Sequence, residues 1–297
     1  MKLLRQTFSS PLARIAGVVL VLVALTAIFG QWLRPDDPNA QDVTALFASP
    51  GRAHHLLGTD NLGRDTLSRL IDGTRLTFEG ALLSMLIGLG LGAIPSMASA
   101  FVGRRTQFVS MRLVDAMLAF PPIIFAIAVV GAFGTGRWTA SFAIGILIAP
   151  RFFRIVRAET LGLVGSQYVE AAELVGASKP YVLRVHVFRK VVPTIAVTSA
   201  TTMAEALLAV SALAFLGLGP PAPAATWGGM LADDLIYLSQ DPYAAIWPGL
   251  AIMITVAALN VIADGLRDSS TVRLPAKRIR PWQRIPDTTI QEVGNVA

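Results

Sequence analysis

The sequence predicts an all-α integral membrane protein with six transmembrane helices and a cytoplasmic helical-hairpin coupling loop. Three observations carry that prediction. Apolar residues make up 54% of the 297 residues and charged residues only 15%, against roughly 25% charged in an average soluble domain. The apolar surplus collects in charge-free runs at 15–33, 80–103, 116–136 and 244–263. A helix rises about 1.5 Å per residue and a bilayer core is roughly 30 Å thick, so about 20 such residues span it. The third observation is how the 25 basic residues divide. With six spans both termini share a face, and only Arg34, Arg52, Arg64, Arg69, Arg75 and Arg137 fall on the other one. The positive-inside rule then places both termini in the cytoplasm. This sidedness accounts for the net charge of +6 without a nucleic-acid partner. A globular enzyme, a disordered chain and a strand-alternating barrel are excluded, and the absence of cysteine excludes a disulfide scaffold.

The first span, about 15–33, follows a tail at 1–14. Lys2 and Arg5 precede an apolar run too long for a signal-peptide core, so the run is expected to stay as a retained span. An outer loop at 34–78 is rich in Asp and Arg. Within it Asp60 is expected to cap a short helix carrying Leu67, Leu70 and Ile71, with Arg64, Asp65 and Arg69 in local charge pairs. His54, His55 and Asp60 could ligate a metal, but without a defined spacing they are expected to be solvated. The second span, 79–103, holds Gly88, Gly90, Gly92 and Pro95, where small residues permit close helix approach. An inner loop at 104–112 leads to the third span, 114–134, interrupted by Pro121-Pro122. The fourth, 138–157, is charge-free for only 13 residues and must extend past Arg151 or enter obliquely.

Between the fourth span and the fifth, 192–217, lies a segment much longer than a bare connector needs. Residues 158–190 pattern as helix, turn, helix. Leu161, Val164, Tyr168, Val169, Ala172 and Val175 recur mostly at three and four, giving one apolar stripe. Gly176 suits the position after a helix, Ser178 an N-cap and Pro180 a first turn. The fifth span carries Glu205, an ionisable group at membrane depth. Burying one is costly, so it should face another chain or a wet passage; the alternative is a protonated or hydroxyl-bonded interior acid. Asp115 and Asp264 are expected to pair with Arg112 and Arg267 near the inner ends of their spans. A Pro- and Gly-rich outer loop precedes the sixth span, 244–264, and a proline-punctuated tail at 269–297 closes the chain.

The run from Tyr168 to Ser178, Tyr-Val-Glu-Ala-Ala-Glu-Leu-Val-Gly-Ala-Ser, resembles the EAA loop of binding-protein-dependent ABC importer permeases. Further segments resemble the C-type permease subunit of the dipeptide/oligopeptide/nickel branch. These are Leu57 to Asp65 with Ser68-Arg69-Leu70, Asp115 to Pro122, Phe215 to Gly219, Thr226 to Leu231, Trp247 to Leu250 and Asp264 to Asp268. They follow the family's order across about 10–268. The resemblance implies a permease domain at 15–268 forming half of a channel, in a bacterial inner membrane. It implies a second permease subunit, cytoplasmic ABC ATPases and an extracytoplasmic substrate-binding protein as partners, besides membrane lipid. It also implies an ATPase-coupling role for Glu170, Ala171, Ala172, Gly176, Ala177, Ser178 and His186, with di- or oligopeptides as solute, or nickel or another small solute in the same architecture. ATP and Mg would sit on the ATPase chains; none of the residues is expected to be catalytic, to ligate a metal or to hold a cofactor, and no Gly-x-x-x-x-Gly-Lys-Ser/Thr is present. A secondary carrier using Glu205 is the alternative from another class. The chain departs from the pattern after His186, where Val187-Phe188-Arg189-Lys190 replaces a hydrophobic pair and Pro-Asn. It departs again at Val210, where an acid is usual, and at Ala214, where a serine is.

Overall fold

The computed structural model describes residues 7–270 apart from 9, 53 and 102. Most of the terminal tails expected at 1–14 and 269–297 therefore lies outside the described residues. Among the described residues the only ladder pairing is an isolated bridge between Thr59 and Asp65, and every longer element is helical. The order is α1 (Pro11–Leu33), α2 (Thr66–Ser99), α3 (Arg104–Ala119), α4 (Pro122–Phe133), α5 (Arg137–Val164) and α6 (Gln167–Leu174). Then α7 (Lys179–Val182), a π-helical turn (Leu183–Val187) and α8 (Phe188–Phe215) run on without a break, before α9 (Trp227–Ile236) and α10 (Ile246–Ser270).

Five stretches are long and apolar enough to cross a bilayer: α1, α2, α5, Lys179–Phe215 and α10. The sixth crossing is a pair, α3 and α4, bent by 89° at Phe120-Pro121. The bend has a local cause: a residue before proline is pushed out of the helical region, and Phe120 and Pro121 have ψ of 135° and 121°. That this pair traverses the molecule follows from its neighbours. Along α2, Gly80 faces Ser141, Gly88 faces Ile148 and Gly92 faces Ala149 of α5, so α2 and α5 run in the same direction. The chain leaves one end of α2 and must regain the opposite end to begin α5, and only α3 and α4 lie between.

The α2–α5 seam is the centre of the packing. A Cβ at Gly92 would stand 2.3 Å from the Ala149 carbonyl oxygen and 2.6 Å from the Phe152 Cβ, so only glycine permits this approach. Phe152 and Val156 of α5 and Leu207 of α8 are fully buried beside it. By contrast α1 is 11% buried over its most apolar window, against 61% for α5. Its Ile15, Val18, Leu22, Leu25 and Ile28 are exposed, an apolar surface that no other part of the chain covers.

Several helix starts differ from expectation. The second span begins at Thr66 rather than 79, capped by Asp65, whose Oδ2 accepts the Ser68 N–H at 2.7 Å. Asp60 caps nothing; the short helix expected to start there is the first turns of α2. The inner loop expected at 104–112 is the start of α3. The fourth span runs through Arg151 to Val164, and the fifth begins within the coupling segment.

Candidate coupling segment and translocation face

The segment joining α5 to α8 is built around one turn. Gly165 ends α5, Ser166 offers its carbonyl to the Val169 and Glu170 N–H groups, and α6 follows. Gly176 has φ of +87°, and the Ala177 N–H then reaches the Ala172 carbonyl at 3.0 Å. A positive φ strains any residue with a Cβ, which is why glycine stands there. Ser178 is extended at the N-cap position, but its hydroxyl makes no capping bond; its carbonyl accepts the Val182 N–H at 3.0 Å. Val169, Val182 and Val187 are buried and fix the segment against the helices above it.

The apolar stripe does not all turn inward. Leu174 and Val175 are 88% and 86% exposed at the tip, because the turn at Gly176 reverses the chain just after them. Glu170 and Ala171 are exposed on the same short helix. His186 sits between two tyrosine rings, its centroid 6.4 Å from Tyr168 and 6.0 Å from Tyr181. Lys190 lies with Nζ 4.0 Å from the Tyr168 ring centroid, a cation–π contact between α8 and α6. The departure from the family pattern at Arg189-Lys190 thus supplies a tie across the segment. The departure at Val210 is a buried packing contact with Gly80.

The lower half of α5 carries a ladder of arginines. Arg151 pairs with Glu205 of α8, Arg154 with Asp115 of α3, and Arg157 Nη2 donates to Gln107 Oε1 at 3.2 Å. Glu205 is therefore neither a solitary acid nor one bonded to a hydroxyl. Asp115 takes Arg154 rather than Arg112, whose guanidinium lies over the Phe108 ring. Asp264 does pair with Arg267, at 3.5 Å.

At the opposite end a polar knot fastens the loop before α2 to α9. Asp60 accepts the Leu62 and Arg64 N–H groups and pairs with Arg64 Nε at 2.6 Å and Arg69 Nε at 3.4 Å. All three charged side chains are buried, so these are not the weak surface pairs that their spacing suggests. His55 Nδ1 meets Asp65 at 2.9 Å with Asp36 nearby, rather than joining His54 and Asp60. Trp227 pins α9 to α2, its backbone N–H on Thr77 Oγ1 and its indole N–H on the Leu70 carbonyl, both at 3.1 Å. Above it opens a cavity of about 400 Å³ that includes Arg64, Arg69, Asp233 and the 217–224 turn in its wall.

Among the described residues these groups pair with one another as fasteners between helices. Residues 84–274 match the family described as binding-protein-dependent transport system inner membrane component. Residues 2–50 match the N-terminal transmembrane domain of oligopeptide transport permease C. The probable D,D-dipeptide transport system permease DdpC of Escherichia coli is 34% identical, covering 90% of this chain and 89% of that protein. The nickel transport system permease NikC of the same species is 36% identical over 86% and 92%. The glutathione transport system permease GsiD of Pectobacterium atrosepticum is 35% identical over 87% and 86%. Among solved structures, a chain of the inward-facing methionine ABC transporter MetNI shares the fold, with a TM-score of 0.56 at 16% identity, covering 68% of this chain and 96% of that one. On its residues and its fold alike, the chain belongs to the binding-protein-dependent transport system inner membrane component family.

Proposed function

We propose that this chain is the permease subunit that forms one half of the channel of an ATP-driven importer for di- or oligopeptides. A second permease would complete the channel, an extracytoplasmic binding protein would deliver the solute, and cytoplasmic ATPases carrying ATP and Mg would supply the motion. The observation that carries this reading is the exposed tip at Glu170–Gly176. Leu174 and Val175 are apolar side chains with nothing of their own chain to cover them, on the turn that leads into the continuous helix Lys179–Phe215. From Lys179 the chain runs helical through to Phe215, so an ATPase docked on that tip and turn could tilt the fifth span. Relatives named for dipeptides and glutathione support the peptide class. The relative named for nickel supports a second reading, the same machine for a metal ion. The pairing of Glu205 with Arg151 speaks against a carrier that needs a free acid there.

The coupling role is tested at the turn. Gly176→Val strains a positive-φ position by roughly 1–3 kcal/mol, and Glu170→Lys reverses a charge on the exposed face. Both should lower uptake and transport-stimulated ATP hydrolysis while the protein still reaches the membrane. Normal uptake by both variants would remove the segment from the mechanism.

The charge split supports cytoplasmic termini and an extracytoplasmic 34–65 loop. Because the chain has no cysteine, single cysteines can report sidedness directly. Cysteines at the exposed Ser49 and Ser239 should label from outside in intact cells, and those at Thr106 and Ser178 should not. Labelling of the second pair alone would invert the orientation.

A further inference from the structure

The Arg151–Glu205 pair stands at a depth where charge is costly. At about 1.5 Å per residue, Arg151 lies roughly 21 Å from the start of α5 and Glu205 roughly 15 Å from the end of α8. Both ends belong to the face that carries α9. The surrounding sequence is uncharged from 138 to 150 and from 191 to 204. Yet the two side chains are 41% and 50% exposed on the surface of the chain. A pair so placed against lipid would be penalised, and the lipid-facing surface of α1 holds no charge from 15 to 33. The face bearing this pair is therefore turned towards a second chain or water.

We propose that Arg151 and Glu205 form a two-point site for a zwitterionic solute in transit, with the solute carboxylate on the Arg151 guanidinium and its ammonium on Glu205. The proposal rests on the importer reading and names the solute class within it. In such an exchange the protein gives up one ion pair and gains two, so neither the bound solute nor the protein is left with an unpaired charge. The near balance of bonds lost and gained suits a passage, where a solute must bind well enough to enter and weakly enough to leave. The next turns inward, Arg154 with Asp115 and Arg157 with Gln107, continue the polar track. Counted together, three arginines face two carboxylates there, a surplus of one positive charge. That surplus favours a solute with a carboxylate and opposes a bare divalent cation.

Leu208 gives a reporter, since it is one helical turn from Glu205 and 48% exposed without belonging to the pair. Leu208→Cys would be reacted with a water-soluble maleimide in vesicles holding this chain, its partner permease and the ATPases. Dialanine should slow the reaction severalfold; N-acetyl-dialanine amide, which lacks both charges, and nickel chloride should not. Protection should disappear when Arg151→Gln or Glu205→Gln is added. Equal protection by the neutral analogue, protection by nickel, no protection at all, or no reaction with the aqueous reagent would each overturn the site. Should the glutamine variants fail to assemble, the three-solute comparison on Leu208→Cys alone decides. Uptake by the same vesicles, supplied with the binding protein and ATP, separates the two claims. ATP-driven dialanine uptake without protection sinks only the charge site, whereas protection without ATP-driven uptake sinks the importer reading and leaves the site standing.

Discussion

Asp234 shows how a single side chain can set a pH limit on this fold. It lies in α9, outside the spanning helices, with Oδ2 buried and unpartnered. Burial first, then the nearby carboxyls of Asp60, Asp233 and Asp241, push its pKa from 3.8 up to about 7, with Arg69 opposing the shift. The folded state therefore holds a proton that the unfolded chain gives up much earlier. Between about pH 4 and pH 7 folding retains the extra proton, so stability from this group falls as pH rises and is flat above that window. Asp234→Asn removes the titration. Its unfolding midpoint in detergent should fall less than that of the parent across the window and should exceed it above about pH 7. Parallel profiles for the two proteins would mean that Asp234 is ionised in the fold. At the same scale, Asp60 and Trp227, in segments that carry the family resemblance, and Lys190, at a departure from it, all act here as fasteners between elements.

At the scale of the element, the seam between α2 and α5 carries the most weight. Gly92→Leu would force a side chain into the space of Ala149 and Phe152, and overpacking of this kind costs about 1–3 kcal/mol or more. The variant should lose both membrane abundance and thermal stability, whereas Gly90→Leu, which meets nothing within 4 Å, should keep both. Equal loss in the two would place the cost in the helix backbone rather than in the seam. The same elements show what a sequence makes visible. Charge-free runs mark where a helix is surrounded by apolar matter, and each of the four clean runs falls within, or largely overlaps, an apolar helix or the bent helix pair. They missed the first turns of α2, because Arg69, Asp72, Arg75 and Glu79 lie there and Arg69 is buried by pairing with Asp60 rather than by being apolar. They read the start of α3 as a loop for the same reason, since Arg104 and Arg105 open it. The coupling turn was legible because its signals are local: Gly176, Ser178 and Pro180 act within a few residues of one another. The Arg151–Glu205 pair joins positions 54 apart, and nothing in either local sequence announces the other.

Across the whole molecule, an exposed apolar tip at one end and a polar, tryptophan-pinned knot at the other are joined by helices packed through a glycine seam. Between them, one face carries paired charges at membrane depth and another, on α1, is uncharged from 15 to 33. This polarity of construction suits a subunit that is pushed from the inner side, loaded from the outer side and sealed by lipid on its back. The proposed importer requires motion coupled to ATP through the 158–190 segment rather than to an ion gradient through Glu205. Solute uptake in vesicles holding this chain and its permease partner, at clamped pH, with and without the ATPases and ATP, tests it most directly. Uptake should require the ATPases, ATP and the binding protein, persist after collapse of the proton gradient and be largely lost in Gly176→Val. Uptake by the two permeases alone, driven by a proton gradient and abolished by Glu205→Gln, would contradict it.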